Sequence, residues 1–467
     1  MNVNAHQFPS VFTMARDLLV EKIIDIEPGT GWHRLEQQVD CLVSNNCIEQ
    51  LAWLAAGRGV RTFWANRKSS LISAGQGVAL SIRIGDTVPP SQVLRESEPL
   101  MREVLAACPN ARFYGGMAFS EQAGDHWSGF GGGQILLPRF ELLSYQGQLI
   151  LACNLQLPLG SQGVALKKQI AIEAQTLAVI EDLNRFPKTL PVATVTGNIP
   201  VWATWEAQVD TVLEALEKRN LAKVVLSREQ TLSIDGELCP WSMLMRWQAM
   251  TPETYRFALW NNHNECFFGA SPESLYHRHK QNLDSEALAG TAPRGRTPVQ
   301  DRKLAANLLA DDKNRRENSL VMRAITDALS ECSESVEFTA DTNLVKLRSV
   351  QHLRKKVRAY LKPDTTDAEL IERLHPTPAM GGAPKAEALS LIQRLETHQR
   401  GWYSGPFGMI EKDGADISVA IRCALLQGQS LRLYSGVGLV PGSHADEEWA
   451  ELDSKLKTVQ SLLNVKL

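Results

Sequence analysis

Residues 220–232, NLAKVVLSREQTL, follow an amphipathic helical pattern and read as a β-strand. Side chains alternate across a strand, so Ala222, Val224 and Leu226 share one face while Lys223, Val225 and Ser227 share the other. A lysine therefore stands on a half-apolar face. The ordinary reading is a surface lysine whose stem covers apolar neighbours while its ammonium stays in water. The sharper one is a desolvated amine held as a base, and the strand alone leaves both open.

Working outward, WEAQVDTVLEALEKRN places Val209, Val212, Leu213 and Leu216 at i, i+3, i+4 and i+7, one stripe of a helix leading into the lysine strand. Strand-like runs follow at YRFALW, ECFFGAS and NLDSEALAGT, then helices over about 299–331 and a strand near KLRSVQHLRKKVRAYL. A helix opens at Pro384, strands follow at WYSGPFGMIE, DISVAIRCALL and SLRLYSGVGLV, and a helix closes the chain. In the first half, GGGQILLPRFELLSYQGQLILACNL reads as two strands around a Gln-Gly turn. Phe186 to Trp205 holds three prolines without a helical period and marks a connector, dividing an N-terminal α/β region, 1–204, from 205–467. Adjacent strands with short turns and interspersed helices predict an α+β (mixed α/β) fold with largely antiparallel sheets rather than a doubly wound parallel one.

Composition narrows the function classes. Of the 467 residues 22% are charged with a net charge of -3, and no basic block is interleaved with aromatics, so no nucleic acid partner and no membrane surface is expected. Eight cysteines are scattered with no CxxC pair, and Arg16, Asp17, Glu21 and Lys22 interrupt the apolar N-terminus, which predicts a cytoplasmic protein with free thiols. The glycines of SGFGGGQ lack the lysine and the strand-then-helix order of a phosphate loop.

Several acids stand where a core side is expected. Glu317 lies one turn before Val321 on the stripe Val321, Ile325, Ala328 and Leu329, either as a first-turn glutamate favoured by the helix dipole or as a paired or metal-binding carboxylate. The last helix opens with a capping-box pattern from Ser443 to Asp446, and its stripe is Trp449, Leu452, Leu456, Val459 and Leu463. Beside that stripe run Glu448, Glu451 and Lys455, a solvated flank with an i, i+4 ion pair or a second source of hard oxygen ligands. Upstream, YSGVGLVPGS carries Gly436 and Gly438, a turn or a place where backbone amides approach an anion. The denser HPTPAMGGAPKAEAL is a structural loop or part of a site.

AKVVLSR, ASPESL, LAGTAPRGR, DDKNRREN, SVQHL, HPTPAMGGAPK, YSGPFGMI, VAIRCALL, GVGLVPGS and EEWAELDSK resemble, in this order, the chorismate-utilising enzymes. That family comprises isochorismate synthase, salicylate synthase and the large subunits of anthranilate and aminodeoxychorismate synthase. The resemblance covers about 205–463 and implies an anthranilate synthase component I-like fold, its sheets packed face to face with helices outside, and a chorismate-binding catalytic region in 205–467. HPTPAMGG followed by GWYSGPFG is most similar to isochorismate synthases, and the long N-terminal half to their menaquinone-pathway form. Salicylate synthases carry threonine where Ala379 stands, and the amine-forming relatives have a TLSGAPK-type loop, absent here, so no glutamine amidotransferase subunit is expected.

The resemblance implies a Mg2+-dependent reaction of chorismate, in which water adds at C2 while the C4 hydroxyl leaves from the opposite face. Lys223 matches the family's base and Glu273 its acid, so Lys223 must be neutral to act while Glu273 must keep its proton. Glu317 and Glu451 match the metal ligands, with Glu448 close by or bound through water. Arg422, Tyr403 and the amides at Gly436 and Gly438 match the enolpyruvyl carboxylate site, Lys455 adds positive charge, and Ala289, Gly290 and Thr291 line the pocket near the water. His352, by itself an ordinary core histidine, matches a substrate contact. Asn314 departs from relatives that carry an acid there. A salicylate synthase, or a catalytically silent chorismate-binding subunit, is the alternative. On the leading reading Lys223 and Val225 face a pocket while Ala222, Val224 and Leu226 face helices.

Overall fold

The computed structural model describes residues 8–466 except 30, 42–46, 86–87, 122–123, 179–185, 187–189, 219–220, 340 and 347–349. The lysine strand spans Lys223–Asp235 and follows the helix Trp202–Lys218. It pairs antiparallel with Ser430–Leu439, register Val225↔Gly438 and Ser227↔Gly436, and on its other edge with Val192–Ile199. From Ser430–Leu439 the ladder runs through Cys423–Gln427, Glu265–Ser271, Tyr255–Trp260 and Arg61–Ala65 to the long strands Leu71–Ile84 and Gly133–Tyr145.

Those two long strands belong to both sheets. The second half of Gly133–Tyr145 continues to Gln148–Gln156 and Trp32–Val39. Its first half continues instead to Arg112–Met117, Pro406–Glu411, Gly414–Val419, Ser274–His279, Asn282–Pro293 and Val350–Leu361. Every described ladder is antiparallel except that of Asn464–Lys466 with Val192–Ile199. Strands of the first half thus pair directly with strands of the second, at Arg61–Ala65 with Tyr255–Trp260 and at Arg112–Met117 with Pro406–Glu411.

An aromatic core lies between the two sheets, with Trp64, Phe257, Phe267 and Tyr434 from one and Tyr114, Phe407 and Met409 from the other. The rings of Phe257 and Phe407 stack at 4.6 Å across it. Strand alternation sends the other side chains outward, so Phe63 and Ala65 flank Trp64 and join Phe12 and Trp53 of the outer helices. Val321, Ile325 and Leu329 cover Leu283, Ala287 and Val357 of the second sheet. Val209, Val212 and Leu216 cover Val224 and Leu226, as alternation predicts, but Ala222, expected on the same side, precedes the strand and is exposed, so the helix covers only the residues inside the strand. Each such fully buried aliphatic side chain contributes about 1.5–3 kcal/mol. The mixed, largely antiparallel architecture with facing sheets and outer helices is the one the sequence implies.

Three local expectations are corrected. The segment read as a connector carries a strand, Val192–Ile199, and its helix begins at Trp202; its prolines flank a β-branched run, VATVT, which pairs along an exposed edge. DISVAIRCALL is two strands, Gly414–Val419 and Cys423–Gln427, broken where Arg422 takes a left-handed φ of 50°. The capping box does not form: the last helix, Ala445–Gln460, has His444 at its N-cap with no side-chain cap, while Ser443 Oγ accepts from the Val440 amide at 3.2 Å. The 146–147 turn is a hairpin as expected, with φ of 51° at Gln146 and 77° at Gly147.

Candidate active site

A cavity of about 230 Å³ opens at the end of the lysine strand. Lys223, 2% exposed, reaches into it and donates from Nζ to Glu317 Oε1 at 2.7 Å. Its reach depends on the neighbouring strand. A Cβ on Gly438 would lie 2.2 Å from Lys223 Cε and 2.9 Å from Nζ, so only a glycine leaves the amine its place. Gly436, two residues earlier, gives the same room to Tyr403, whose hydroxyl would lie 2.8 Å from a Cβ there. The HPTPAMGG loop closes the other edge: Gly381 and Ala383 carbonyls accept from the Val225 and Ala222 amides at 2.9 and 2.8 Å. Gly382 has a φ of 137°, and a Cβ on it would lie 2.3 Å from the Lys223 carbonyl oxygen.

The clash at Gly438 falls on the far end of a flexible side chain, so Gly438→Ala is expected to fold normally and displace the amine. A misplacement of about 1 Å costs on the order of 100-fold in rate. We therefore expect a Gly438→Ala protein with an unchanged melting temperature and a kcat lowered by about that factor; a variant with wild-type kcat would remove the lysine from the chemistry.

Glu273 faces the same cavity from the Pro272 corner between two strands, 4% exposed, and its carboxyl is pushed up to about 8. Burial is the main cause and the charge of Glu286 adds to it, while Lys223, Arg67 and Arg422 oppose it. Glu273 is thus largely protonated at neutral pH.

The ladder between Asn282–Pro293 and Val350–Leu361 slips between Ala289 and Thr291, with Gly290 at a φ of 83°. Such a bulge re-aims side chains. Thr291 Oγ1 and His352 Nδ1 meet at 3.0 Å, and His352 Nε2 is buried without a partner. Burial, Arg422 and Lys455 hold this imidazole neutral, pushed down to about 3. Arg422 stands at the strand break, and burial lowers its guanidinium below its usual range. Tyr403 stacks on Tyr434 at 5.3 Å, and Ala379 lines the wall from the HPTPAMGG loop.

Acids and lysines alternate along the remaining wall. Lys455 Nζ bonds Glu451 Oε1 at 2.7 Å and the Gly436 carbonyl at 2.8 Å, and this ammonium is the first cause of the lowered Glu451 carboxyl. Glu448 is buried, which raises it, and lies 3.6 Å from Lys313 Nζ. Each of Glu317, Glu451 and Glu448 is therefore matched by a lysine, and among the described residues no group of three or more His, Cys, Asp or Glu side chains is drawn together as in a formed metal site.

All fifteen positions singled out from the sequence line this one cavity. Sequence reasoning missed Lys313, Met380 and Arg400, which line it too. Arg400 is 4% exposed, pairs with Glu396 at 2.6 Å and donates to the Val225 carbonyl at 2.7 Å and the Met380 carbonyl at 2.9 Å, tying the lysine strand to the loop. Its i, i+4 glutamate was the available signal.

The chain matches the family model described as chorismate binding enzyme over residues 33–464. It is 32% identical over 369 residues to isochorismate synthase 2, chloroplastic, of Arabidopsis thaliana, covering 76% of this chain and 65% of that protein. It is 32% identical over 354 residues to isochorismate synthase MenF of Bacillus subtilis, covering 75% and 74%. This chain spans just under two thirds of the plant relative's length. Among solved structures, MenF, the menaquinone-specific isochorismate synthase from Escherichia coli, superposes with a TM-score of 0.82 at 26% identity over 97% of this chain and 100% of that one. Anthranilate synthase component I from Streptococcus pneumoniae, with a TM-score of 0.67 at 20% identity over 84% of this chain and 92% of that one, shares the fold. With that family model running over nearly the whole length and the cavity built from the motifs that suggested it, this chain belongs to the chorismate-binding enzymes.

Proposed function

We propose that the chain is an isochorismate synthase, interconverting chorismate and isochorismate. One observation carries the reading furthest: a buried lysine and a buried, protonated glutamic acid face one cavity. Water addition with loss of hydroxide needs that pair, because hydroxide leaves readily only when protonated. In its neutral form Lys223 Nζ takes a proton from water as the water oxygen bonds to C2. The electron pairs of the ring diene shift toward C4, the C4–O bond breaks, and Glu273 gives its proton so that the hydroxyl leaves as water. Exchange with solvent then resets both groups.

Arg422, Tyr403 and the backbone at Gly436 and Gly438 hold the enolpyruvyl carboxylate in this reading. His352, neutral and with a free Nε2, holds a substrate hydroxyl or carbonyl. The carboxylates of Glu317, Glu451 and Glu448 fit Mg2+, since they are hard oxygen donors from two separate helices at one end of the cavity and their lysine partners can be displaced. When bound, Mg2+ supplies positive charge that offsets the repulsion between the ring carboxylate and this acidic wall. Ala379 leaves the neighbouring wall small, where a salicylate synthase carries threonine. The 0.82 TM-score over the whole of the solved MenF chain supports a place in menaquinone synthesis, and the lack of a TLSGAPK-type loop supports a reading without an amidotransferase subunit. Eight unpaired cysteines support a reducing, cytoplasmic setting, and no described helix is long and apolar enough to cross a membrane.

Incubation of the purified protein with chorismate and Mg2+, followed by product separation, is expected to yield isochorismate without pyruvate. Salicylate with pyruvate would transfer it to the salicylate synthases, and absence of turnover would refute an enzymatic role. Removal of the metal with EDTA is expected to abolish turnover, and added Mg2+ to restore it.

A further inference from the structure

We infer that Arg67 and Glu286 are positioning residues for this reaction, forming a guanidinium–carboxylate clamp through which the N-terminal half fixes the Pro272–Ser274 backbone and hence the carboxyl of Glu273. The inference rests on the role of Glu273 as the acid. Arg67 comes from the turn between Arg61–Ala65 and Leu71–Ile84. That turn is pinned by Asn66, whose Oδ1 accepts from the Ser70 amide at 3.0 Å and whose amide donates to the Leu71 carbonyl at 3.1 Å. The guanidinium forks onto both oxygens of Glu286, Nη1 donating to Oε2 at 3.0 Å and Nη2 to Oε1, and Nη2 also donates to the Pro272 carbonyl. Glu286 Oε1 in turn accepts from the Ser274 amide at 3.2 Å.

The residues on both sides of Glu273 are therefore gripped by one ion pair. Its members are 219 positions apart in the chain. The guanidinium also lies 5.1 Å from the Tyr255 ring centroid, a cation–π contact that helps to hold it. Pro272 separates the active-site cavity from a second cavity lined by Arg67, Glu286 and Arg354. Bidentate geometry of this kind is not available to a lysine.

The clamp also sets the field at the acid. Glu273 is faced by Glu286 from Asn282–Pro293, Lys223 from its own strand, Arg67 from the first-half turn and Arg422 from the strand break. Glu286 is faced in addition by Arg354 at 3.9 Å, and Tyr255 and Asp416 complete the surroundings of Arg67. Removing the carboxylate charge of Glu286 takes away repulsion that favours the protonated acid and leaves the cation of Arg67 unbalanced.

Two variants test this by the pH dependence of kcat/KM. Glu286→Gln keeps the shape and loses the charge, and its alkaline limb is expected about one pH unit below that of the wild type. Arg67→Lys keeps the charge but cannot span Glu286 and Pro272. Its limb is expected to stay in place while kcat falls by about 10-fold or more at little change in KM. A folded Glu286→Gln protein with an unmoved limb, or an Arg67→Lys protein with wild-type kcat, would overturn the inference. If only one variant shows a cooperative thermal transition, that one decides. Failure of both to fold would make the clamp a device of assembly and equally reject the inference. A wild type that does not turn over chorismate would instead sink the function on which the clamp depends.

Discussion

Lys223→Ala is expected to lower kcat by about 10²–10⁴-fold while changing the KM for chorismate only a few-fold, as befits a group used in proton transfer rather than in uniform substrate binding. The expectation follows from what else the cavity offers. His352 is a neutral imidazole pushed down to about 3, too weak a base to take a proton from water. The carboxyl of Glu451 is lowered by Lys455, which weakens it as a base, and Glu273 carries its own proton until about pH 8. Arg400 and Arg422 do not deprotonate. Lys223 is the buried amine of the cavity, 2% exposed, and Gly438 makes room for it, whereas the other lining lysines, Lys313 and Lys455, are more exposed and pair with Glu448 and Glu451 of the last helix. Truncation leaves Glu317 without its 2.7 Å partner, but that carboxylate is 19% exposed, so water tempers the loss of stability. Partial recovery of turnover by added methylamine is the measurement that separates a missing base from a damaged fold. A Lys223→Ala protein near wild-type kcat would return the residue to an ion-pairing role.

The alternation of 222–227 was enough to place Val224 and Leu226 against helices and Lys223 and Val225 in the cavity, because a half-buried strand commits every second residue. Likewise the stripe of 205–216 and the Gln-Gly turn folded as their periods require. The Val192–Ile199 strand has no clear signal because prolines at 191 and 200 bracket a short run in which only Ala193 is buried and no apolar alternation is kept. The strand break at Arg422 is hidden inside an apolar run that reads as one strand, and nothing in that run announces a left-handed residue.

In the sequence Gly436 and Gly438 read as a turn or an anion contact; the structure puts both in a strand, and Gly438 has a steric reason that depends on a side chain from the adjacent strand. Contacts between residues far apart in the chain, such as Arg67 with Glu286, have no local signature at all, since their geometry comes from two sheets joined through shared strands. The lysine partners of the three cavity acids were visible in part: Glu451 with Lys455 follows from i, i+4 spacing, whereas Lys223 with Glu317 needs the fold.

Glu273→Gln is expected to lower kcat by about 10²–10⁴-fold, because the amide keeps the shape of the acid and cannot give a proton to the leaving hydroxyl. In the wild type, kcat/KM reports the free enzyme, so activity should fall as pH rises through about 8, the point at which the buried carboxyl ionises. The same group links to stability with a definite sign. Its folded value lies above the unfolded reference near 4.3, so its contribution to stability is whole below that reference and is lost as pH rises through about 8. Glutamine is neutral throughout and escapes this loss. Between pH 6 and pH 9 the melting temperature of the wild type should therefore drop further than that of Glu273→Gln, which should be the more stable protein on the alkaline side. Activity and stability would then move in opposite directions at one residue, the mark of a carboxyl kept in an apolar, like-charged site for its proton. Equal melting-temperature drops in the two proteins, or an alkaline limb far from 8, would mean that Glu273 is charged in the working enzyme and that the proton for the C4 hydroxyl has another source.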